Sequence, residues 1–491
     1  MKPNILLVVL DATRADRCTT YGYERPTTPV LNALAAEGTL FENAFAVAPW
    51  TMPSFASLLT GRHPSELGIY EMRRLTAQLP TLPEVLSAVN YSSMVVTNNS
   101  WVSESFGLTR GFQQIIKLWQ LIQTQQDLTR LALTEIESHG SIFNRLMRSI
   151  RYGNPLYNIV NIIYGRVCRN RVDYGAKRLN HLTQSWIAVQ KEPWLVVAHY
   201  LEAHLEYRPP HKQLLQFVRH LGIAQQLLAA NQIGVMLRHI AGIQPLSPVE
   251  LETWSDLYDA ELNYQDTCLG DLLAWLRQTE QLDNTVVIVT ADHGENLGEH
   301  GLLNHQYCLY DTLLHVPLVI RYPAMFPAGQ RIRTPVTLLD VFATILAISG
   351  GDMTVNKHGI SLANEAELAD RLYTLAEYGM PRPPDESFLA NFGIPRDKLL
   401  PLEKSLTAIR SQTHKLITDS NGSMELYNWV ADPSEMDNLA CQQPDLVDAL
   451  LQEMNHYLTL FTSERNNSPV ENASGVDPEI MARLRDLGYI D

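Results

Sequence analysis

Val286-Val287-Ile288-Val289-Thr290-Ala291-Asp292-His293-Gly294-Glu295 is the stretch on which the reading of the fold turns. Four β-branched apolar residues in succession suit a parallel strand covered on both faces. Asp-His-Gly then falls at its C-terminal edge, where open α/β sheets place their ligands. An Asp-His pair at a strand end is also what an ordinary loop looks like, so its meaning depends on what else the chain aims at the same place. A second apolar run, Ile5-Leu6-Leu7-Val8-Val9-Leu10, ends in Asp11 in the same manner. That aspartate could equally cap a turn or a helix. Arg14 offers a cation to an anionic substrate, or a partner to a nearby acid.

Composition narrows the function classes. The chain has 491 residues, 45% of them hydrophobic and 19% charged. That predicts one large α/β domain with a smaller companion and ample apolar surface for a core. A formal net charge of −15 argues against nucleic acid as a partner, because a phosphate backbone needs a basic footprint. An anionic substrate needs only a local cationic site. The cysteines Cys18, Cys168, Cys268, Cys308 and Cys441 are scattered and lack C-x-x-C spacing, so neither a disulfide framework nor a thiolate metal site is expected. The first apolar run is too short to span a membrane and has no small-residue cleavage site after it. The expectation is a cytoplasmic protein in which the sequon Asn472-Ala473-Ser474 means little.

Ala48-Pro49-Trp50-Thr51-Met52-Pro53-Ser54-Phe55-Ala56-Ser57-Leu58-Leu59-Thr60-Gly61 reads as a helix with a hydroxyl residue and proline at its start and a glycine stop. Thr51 then sits at or beside a helix N-terminus. It is either a plain N-cap or a hydroxyl whose alkoxide the unpaired N–H groups and the positive dipole end would favour.

With these segments in view the chain resembles the sulfatase family of the alkaline phosphatase superfamily. Thr51-x-Pro53-x-Phe55 followed by Leu58-Leu59-Thr60-Gly61 lies over a family nucleophile motif that has Cys or Ser, then Pro, then Arg. Leu10-Asp11, Asp292-His293-Gly294-Glu295, Val316-Pro317-Leu318-Val319-Ile320, the run from Leu426-Tyr427 to Asn438-Leu439-Ala440, and Leu484-Arg485-Asp486-Leu487-Gly488-Tyr489-Ile490 continue the match over nearly the full length. The resemblance implies a large, mostly parallel sheet sandwiched by helices with a small C-terminal α+β subdomain. It implies one divalent cation held by Asp11, Thr51, Asp292 and His293, with Mn²⁺ or Mg²⁺ favoured and Zn²⁺ or Ca²⁺ compatible. It makes His204 and His305 the oxyanion-binding or leaving-group residues, and Thr97 and Asn98 substrate contacts, though loop hydrogen bonding reads as well for the last two.

The departures carry as much as the match. Sulfatases oxidise the motif Cys or Ser to formylglycine, and Thr51 cannot give that aldehyde. Phe55 stands where the motif has Arg, and Ala12 where a second aspartate is usual. The chain thus lies nearer superfamily members that use a threonine alkoxide, such as phosphoglycerol transferases and related phosphodiesterases. The expected activity is cleavage or transfer of a phosphodiester, phosphonate or related ester through Thr51. A sulfuric ester hydrolase with an unmodified nucleophile and a non-catalytic sulfatase-like binding protein are the alternatives.

The catalytic domain is expected over residues 1–350, with helical insertions near 118–191 and 211–243, and the small subdomain over 351–491 with an antiparallel sheet and a helix. Residues 143–171 mix Phe143, Met147, Ile150, Tyr157, Ile159 and Ile163 with Arg145, Arg148, Arg151, Arg166, Arg169 and Arg171. That local reversal of charge suits a lipid-like substrate or an anionic membrane surface, or simply an amphipathic insertion packed on the main domain. His199, in the run Trp194-Leu195-Val196-Val197-Ala198-His199-Tyr200, has no motif partner and reads as structural.

Overall fold

The computed structural model describes residues 2–69, 74–75, 79–121, 123, 160, 173–191, 193–379 and 386–465. Most of the 118–191 insertion with its basic 143–171 stretch, the Pro381-Arg382-Pro383-Pro384 loop and the closing Leu484–Ile490 run lie outside the described residues.

The apolar runs form the strands of one sheet: β1 (Asn4–Leu10), β2 (Thr39–Phe41), β3 (Ser92–Thr97), β4 (Gln114–Lys117), β5 (Trp194–Tyr200), β6 (Thr285–Thr290), β7 (Leu318–Arg321) and β8 (Gln330–Ile332). Their spatial order is β8-β2-β7-β6-β1-β5-β3-β4. The pairs β6-β1, β1-β5, β5-β3, β3-β4 and β8-β2 are parallel, and β7 runs antiparallel to both its neighbours. Both faces are covered, which is why β1, β5 and β6 read as unbroken apolar runs rather than alternating ones.

Helices take the two faces in turn. Ile5, Leu7 and Val9 pack into the cluster holding α2 (Thr51–Thr60) and α5 (Leu338–Ser349). Leu6, Val8 and Leu10 pack against α1 (Pro29–Glu37), α3 (Ala176–Ile187) and α4 (Pro248–Gln278). Each such leucine, isoleucine or valine contributes roughly 1.5–3 kcal/mol by leaving water. A charged residue at Val8 would therefore break the sheet from its centre. The 211–243 stretch holds three helices, His211–Phe217, Leu221–Ala229 and Gln232–Ile240, which share an apolar cluster with Trp254, Leu257, Tyr258 and Leu262 of α4.

A separate antiparallel sheet follows, β9 (Thr374–Tyr378), β10 (Leu406–Arg410), β11 (Lys415–Asp419) and β12 (Met424–Tyr427), backed by α6 (Pro444–Arg465). Buried charges tie it to the main body. Lys415 Nζ is 2.7 Å from Asp311 Oδ1 and also pairs with Glu435, Arg410 pairs with Asp311, and the Arg410 guanidinium lies 3.7 Å from the Phe45 ring centroid. Among the described residues no helix is long and apolar enough to cross a membrane. Cys18, Cys268, Cys308 and Cys441 carry free thiols.

Candidate active site

The strand ends converge at the C-terminal edge of the sheet. Asp11 follows β1, Asp292 and His293 follow β6, Asn99 follows β3, and His199 is the penultimate residue of β5, in register with Val9 and Thr97. Thr51 is the first residue of α2 and fully buried. The helix is seated by Ser54, whose hydroxyl donates to the Asp292 carbonyl at 2.6 Å, and it stops at Gly61, whose left-handed φ of +66° a glycine adopts without strain. Gly294 is required for closeness: a Cβ there would stand 2.1 Å from the Thr312 carbonyl oxygen.

Asp11, His199 and Asp292 each offer a ligand atom within 4.8 Å of the others. His199 Nε2 is 3.2 Å from Asp11 Oδ2 and 4.0 Å from Asp292 Oδ2. The donor set fits a cation. Asp11 Oδ1, His199 Nε2 and Asp292 Oδ2 are all buried without a hydrogen-bond partner among the described residues, a costly arrangement unless charge is placed between them. His199, expected to be structural, thus lies among these donors. Its Nδ1 meets Thr97 Oγ1 at 3.1 Å and its ring lies 5.1 Å from that of Phe55, the residue at the motif's Arg position. The signal was present in the sequence: one imidazole in an otherwise apolar, doubly covered strand needs a polar partner.

His293 Nδ1 donates to the Gly294 carbonyl at 2.8 Å, which turns Nε2 toward the site. That nitrogen faces Thr51 Oγ1 at 3.2 Å and stands 3.4 Å from Asp11 Oδ1 and 3.6 Å from Asp292 Oδ2. The expected set of Asp11, Thr51, Asp292 and His293 is therefore gathered at one point, with His199 added to it. His305 returns to the site through the hairpin Asn296–Leu297 and Leu303–Asn304. Its ring lies 4.4 Å from His293 and 4.8 Å from His204, and its Nδ1 is hydrogen-bonded to Glu295 at 3.0 Å. His204 Nδ1 donates to the Leu205 carbonyl.

Three expected substrate contacts are placed differently. Arg14 is buried and committed: its guanidinium meets Asp16, Glu299 at 2.8 Å and the Glu295 carbonyl at 3.0 Å, while its Cγ lies 3.1 Å from where a Gly294 Cβ would be. It braces the Asp-His-Gly turn from outside. Thr97 orients His199, and the Asn98 amide donates to the Tyr174 carbonyl. Asn99, which the sequence reading passed over, touches both Asp11 and Thr51.

Burial shapes the charges. It acts to raise the Asp11 carboxyl, but His199, His204 and His293 around it outweigh that and hold it below the usual range. Asp292 is raised, first by burial and then by Asp11. Burial pushes His204 down to about 4, and His305 well below its ordinary value with help from His293 and His204. Both are neutral imidazoles at pH 7. Because the folded-state pKa of His204 is depressed from 6.5 to about 4, its contribution to stability is complete above pH 6.5 and lost as pH falls through about 4. The loss is on the order of 3 kcal/mol. Urea midpoints of the wild type are expected to drop between pH 7 and pH 4, and His204→Gln to flatten that slope; equal slopes would refute the assignment.

The sequence profile of the Sulfatase family matches residues 3–351. The chain belongs to the sulfatase family. As a sulfatase-family member it is an ester hydrolase. It is 26% identical over 489 residues to the Escherichia coli sulfatase YidJ, covering 94% of this chain and 89% of that one. It is 22% identical over 543 residues to N-acetylglucosamine-6-O-sulfatase of Bacteroides thetaiotaomicron, covering 93% and 87%. The phosphonate monoester hydrolase of Agrobacterium radiobacter superposes with a TM-score of 0.63 at 19% identity, over 96% of this chain and 97% of that one. The shared fold thus extends over the main body and the small C-terminal sheet together.

Proposed function

We propose that this sulfatase-family protein is a metal-dependent hydrolase of phosphorus esters, phosphodiesters or phosphonate esters, with Thr51 as its nucleophile. The observation that carries the reading is the position of Thr51 Oγ1, at a helix N-terminus between His293 Nε2 and Asn99 Nδ2, beside the Asp11-His199-Asp292 cluster. The residues that would hold the cation are Asp11, His199 and Asp292, with His293 and Thr51 facing the same point. Two imidazoles among these donors shift the preference toward Mn²⁺ or Zn²⁺ and away from Mg²⁺ or Ca²⁺. When bound, the cation supplies positive charge that lowers the Thr51 hydroxyl pKa and draws electrons from the ester.

The chain's own groups do the rest. Thr51 loses its proton to solvent, its Oγ1 forms a bond to phosphorus, and the bond from phosphorus to the leaving oxygen breaks. His204 and His305 face the anionic ester as a neighbouring pair. The incoming negative charge draws one proton onto that pair, which is then delivered to the leaving oxygen. The now neutral pair accepts a proton from the water that attacks phosphorus in the second half, and Thr51 Oγ1 leaves and is reprotonated.

Threonine is what tilts the reading from sulfur to phosphorus, because it cannot become the sulfatase aldehyde. A sulfuric ester hydrolase using unmodified Thr51 is the second reading, favoured by the names of the relatives. Purified protein with Mn²⁺ is expected to hydrolyse bis(4-nitrophenyl) phosphate faster than 4-nitrophenyl sulfate. The reverse order would put the second reading in place of the first.

A further inference from the structure

Asn99 stands at the centre of the site and belongs to none of the expected sets. It follows β3 by two residues, is fully buried, and has every polar group of its side chain engaged. Its Oδ1 accepts from the Trp101 backbone N–H at 3.0 Å, so the amide cannot be turned over without setting N–H against N–H. Both hydrogens of Nδ2 are thereby directed. One goes to Asp11 Oδ2 at 2.7 Å and the other to Thr51 Oγ1 at 3.1 Å. The backbone around it is fixed as well, since the Asn99 N–H donates to Thr97 Oγ1 at 3.0 Å. The ring of Trp101 meets that of Trp50, the neighbour of Thr51, edge-on at 5.2 Å.

The direction of these bonds has a chemical meaning. Thr51 Oγ1 must accept from Asn99, because the amide nitrogen only donates, and the same oxygen lies 3.2 Å from His293 Nε2. A lone pair of the oxygen is thus engaged in a fixed direction before any substrate arrives. A donor aimed at an oxygen that becomes negative strengthens as the charge develops, and in a dry site such a donor is worth far more than in water. The same amide grips Asp11, so the nucleophile is held in register with the carboxylate at the end of β1.

We propose that Asn99 is a catalytic residue of this enzyme, donating to Thr51 Oγ1 to orient the hydroxyl and to stabilise the alkoxide before attack and again when Thr51 is released from its ester. The proposal rests on the reading of Thr51 as the nucleophile, and the test separates the two. Wild type, Asn99→Ala, Asn99→Leu and Thr51→Ala are purified with Mn²⁺. Single-turnover release of 4-nitrophenolate from bis(4-nitrophenyl) phosphate is measured, with bound metal and melting temperature recorded for each. Asn99→Leu keeps the size of the side chain and has no polar hydrogen to give. Both Asn99 variants are expected to slow the first turnover by about 100-fold with KM little changed. In the Thr51→Ala background, adding Asn99→Ala is expected to cost nothing further. An active Thr51→Ala enzyme would sink the nucleophile reading itself. Inactive Thr51→Ala together with either Asn99 variant within threefold of wild type would overturn the role of Asn99 and leave Thr51 standing.

Discussion

Thr51→Ala is expected to lower turnover of an aryl phosphodiester by about 10⁴-fold or more, while the protein keeps its fold. The alanine methyl fills much of the space of the buried threonine, and α2 is held by the Ser54 bond to the Asp292 carbonyl and by the packing of Phe55, Leu58 and Leu59 rather than by the Thr51 hydroxyl. What disappears is the atom that becomes covalently attached to phosphorus. Thr51→Ser, which restores a hydroxyl at the same place, is expected to recover part of the rate. Brief incubation with substrate and acid quench should leave a phosphorylated peptide containing residue 51 in wild type and none in Thr51→Ala. Full activity in the alanine variant would remove Thr51 from the mechanism.

The second large effect is expected at His199. His199→Ala takes away one of three mutually close donors and leaves the carboxylates of Asp11 and Asp292 facing each other in a fully buried site. Metal content by elemental analysis after dialysis should fall, with affinity reduced by about 100-fold. Thr97→Val, which removes the oxygen that meets His199 Nδ1, should give a smaller loss in the same direction. Asp292 is raised by burial and by Asp11, so its protonation competes with cation binding as pH falls, and affinity is expected to climb with pH. Full metal occupancy in His199→Ala would return the ligand set to Asp11, Asp292, His293 and Thr51.

The sheet was legible in the sequence because a doubly covered parallel strand writes itself as a β-branched run, and β1, β5 and β6 are such runs. Asp11, Asp292, His293 and Thr51 were legible because each sits at the end of an element whose type the sequence declares. His199 was legible only as an imidazole in want of a polar partner, because it lies inside a strand and only the sheet register brings it level with Val9, two residues before Asp11. Asn98 and Asn99 were indistinguishable by type, and a single peptide step decides which one turns to Thr51 and which to Tyr174. Arg14 failed for a different reason. An arginine near an anion site and an arginine bracing that site's loop have the same composition, and only the positions of Asp16 and Glu299 tell them apart.

The placing of β1 between β5 and β6 also bears on how the protein is made. Ile5 pairs with Leu195 on one side and Val286 on the other, so the strand carrying Asp11 emerges from the ribosome long before either neighbour exists. Sheets built from such distant pairings close slowly, and their unpaired edges are exposed to aggregation while they wait. Asp11 and Asp292 therefore meet only after most of the chain has been synthesised, and the cation can stabilise the finished sheet but cannot guide its early assembly.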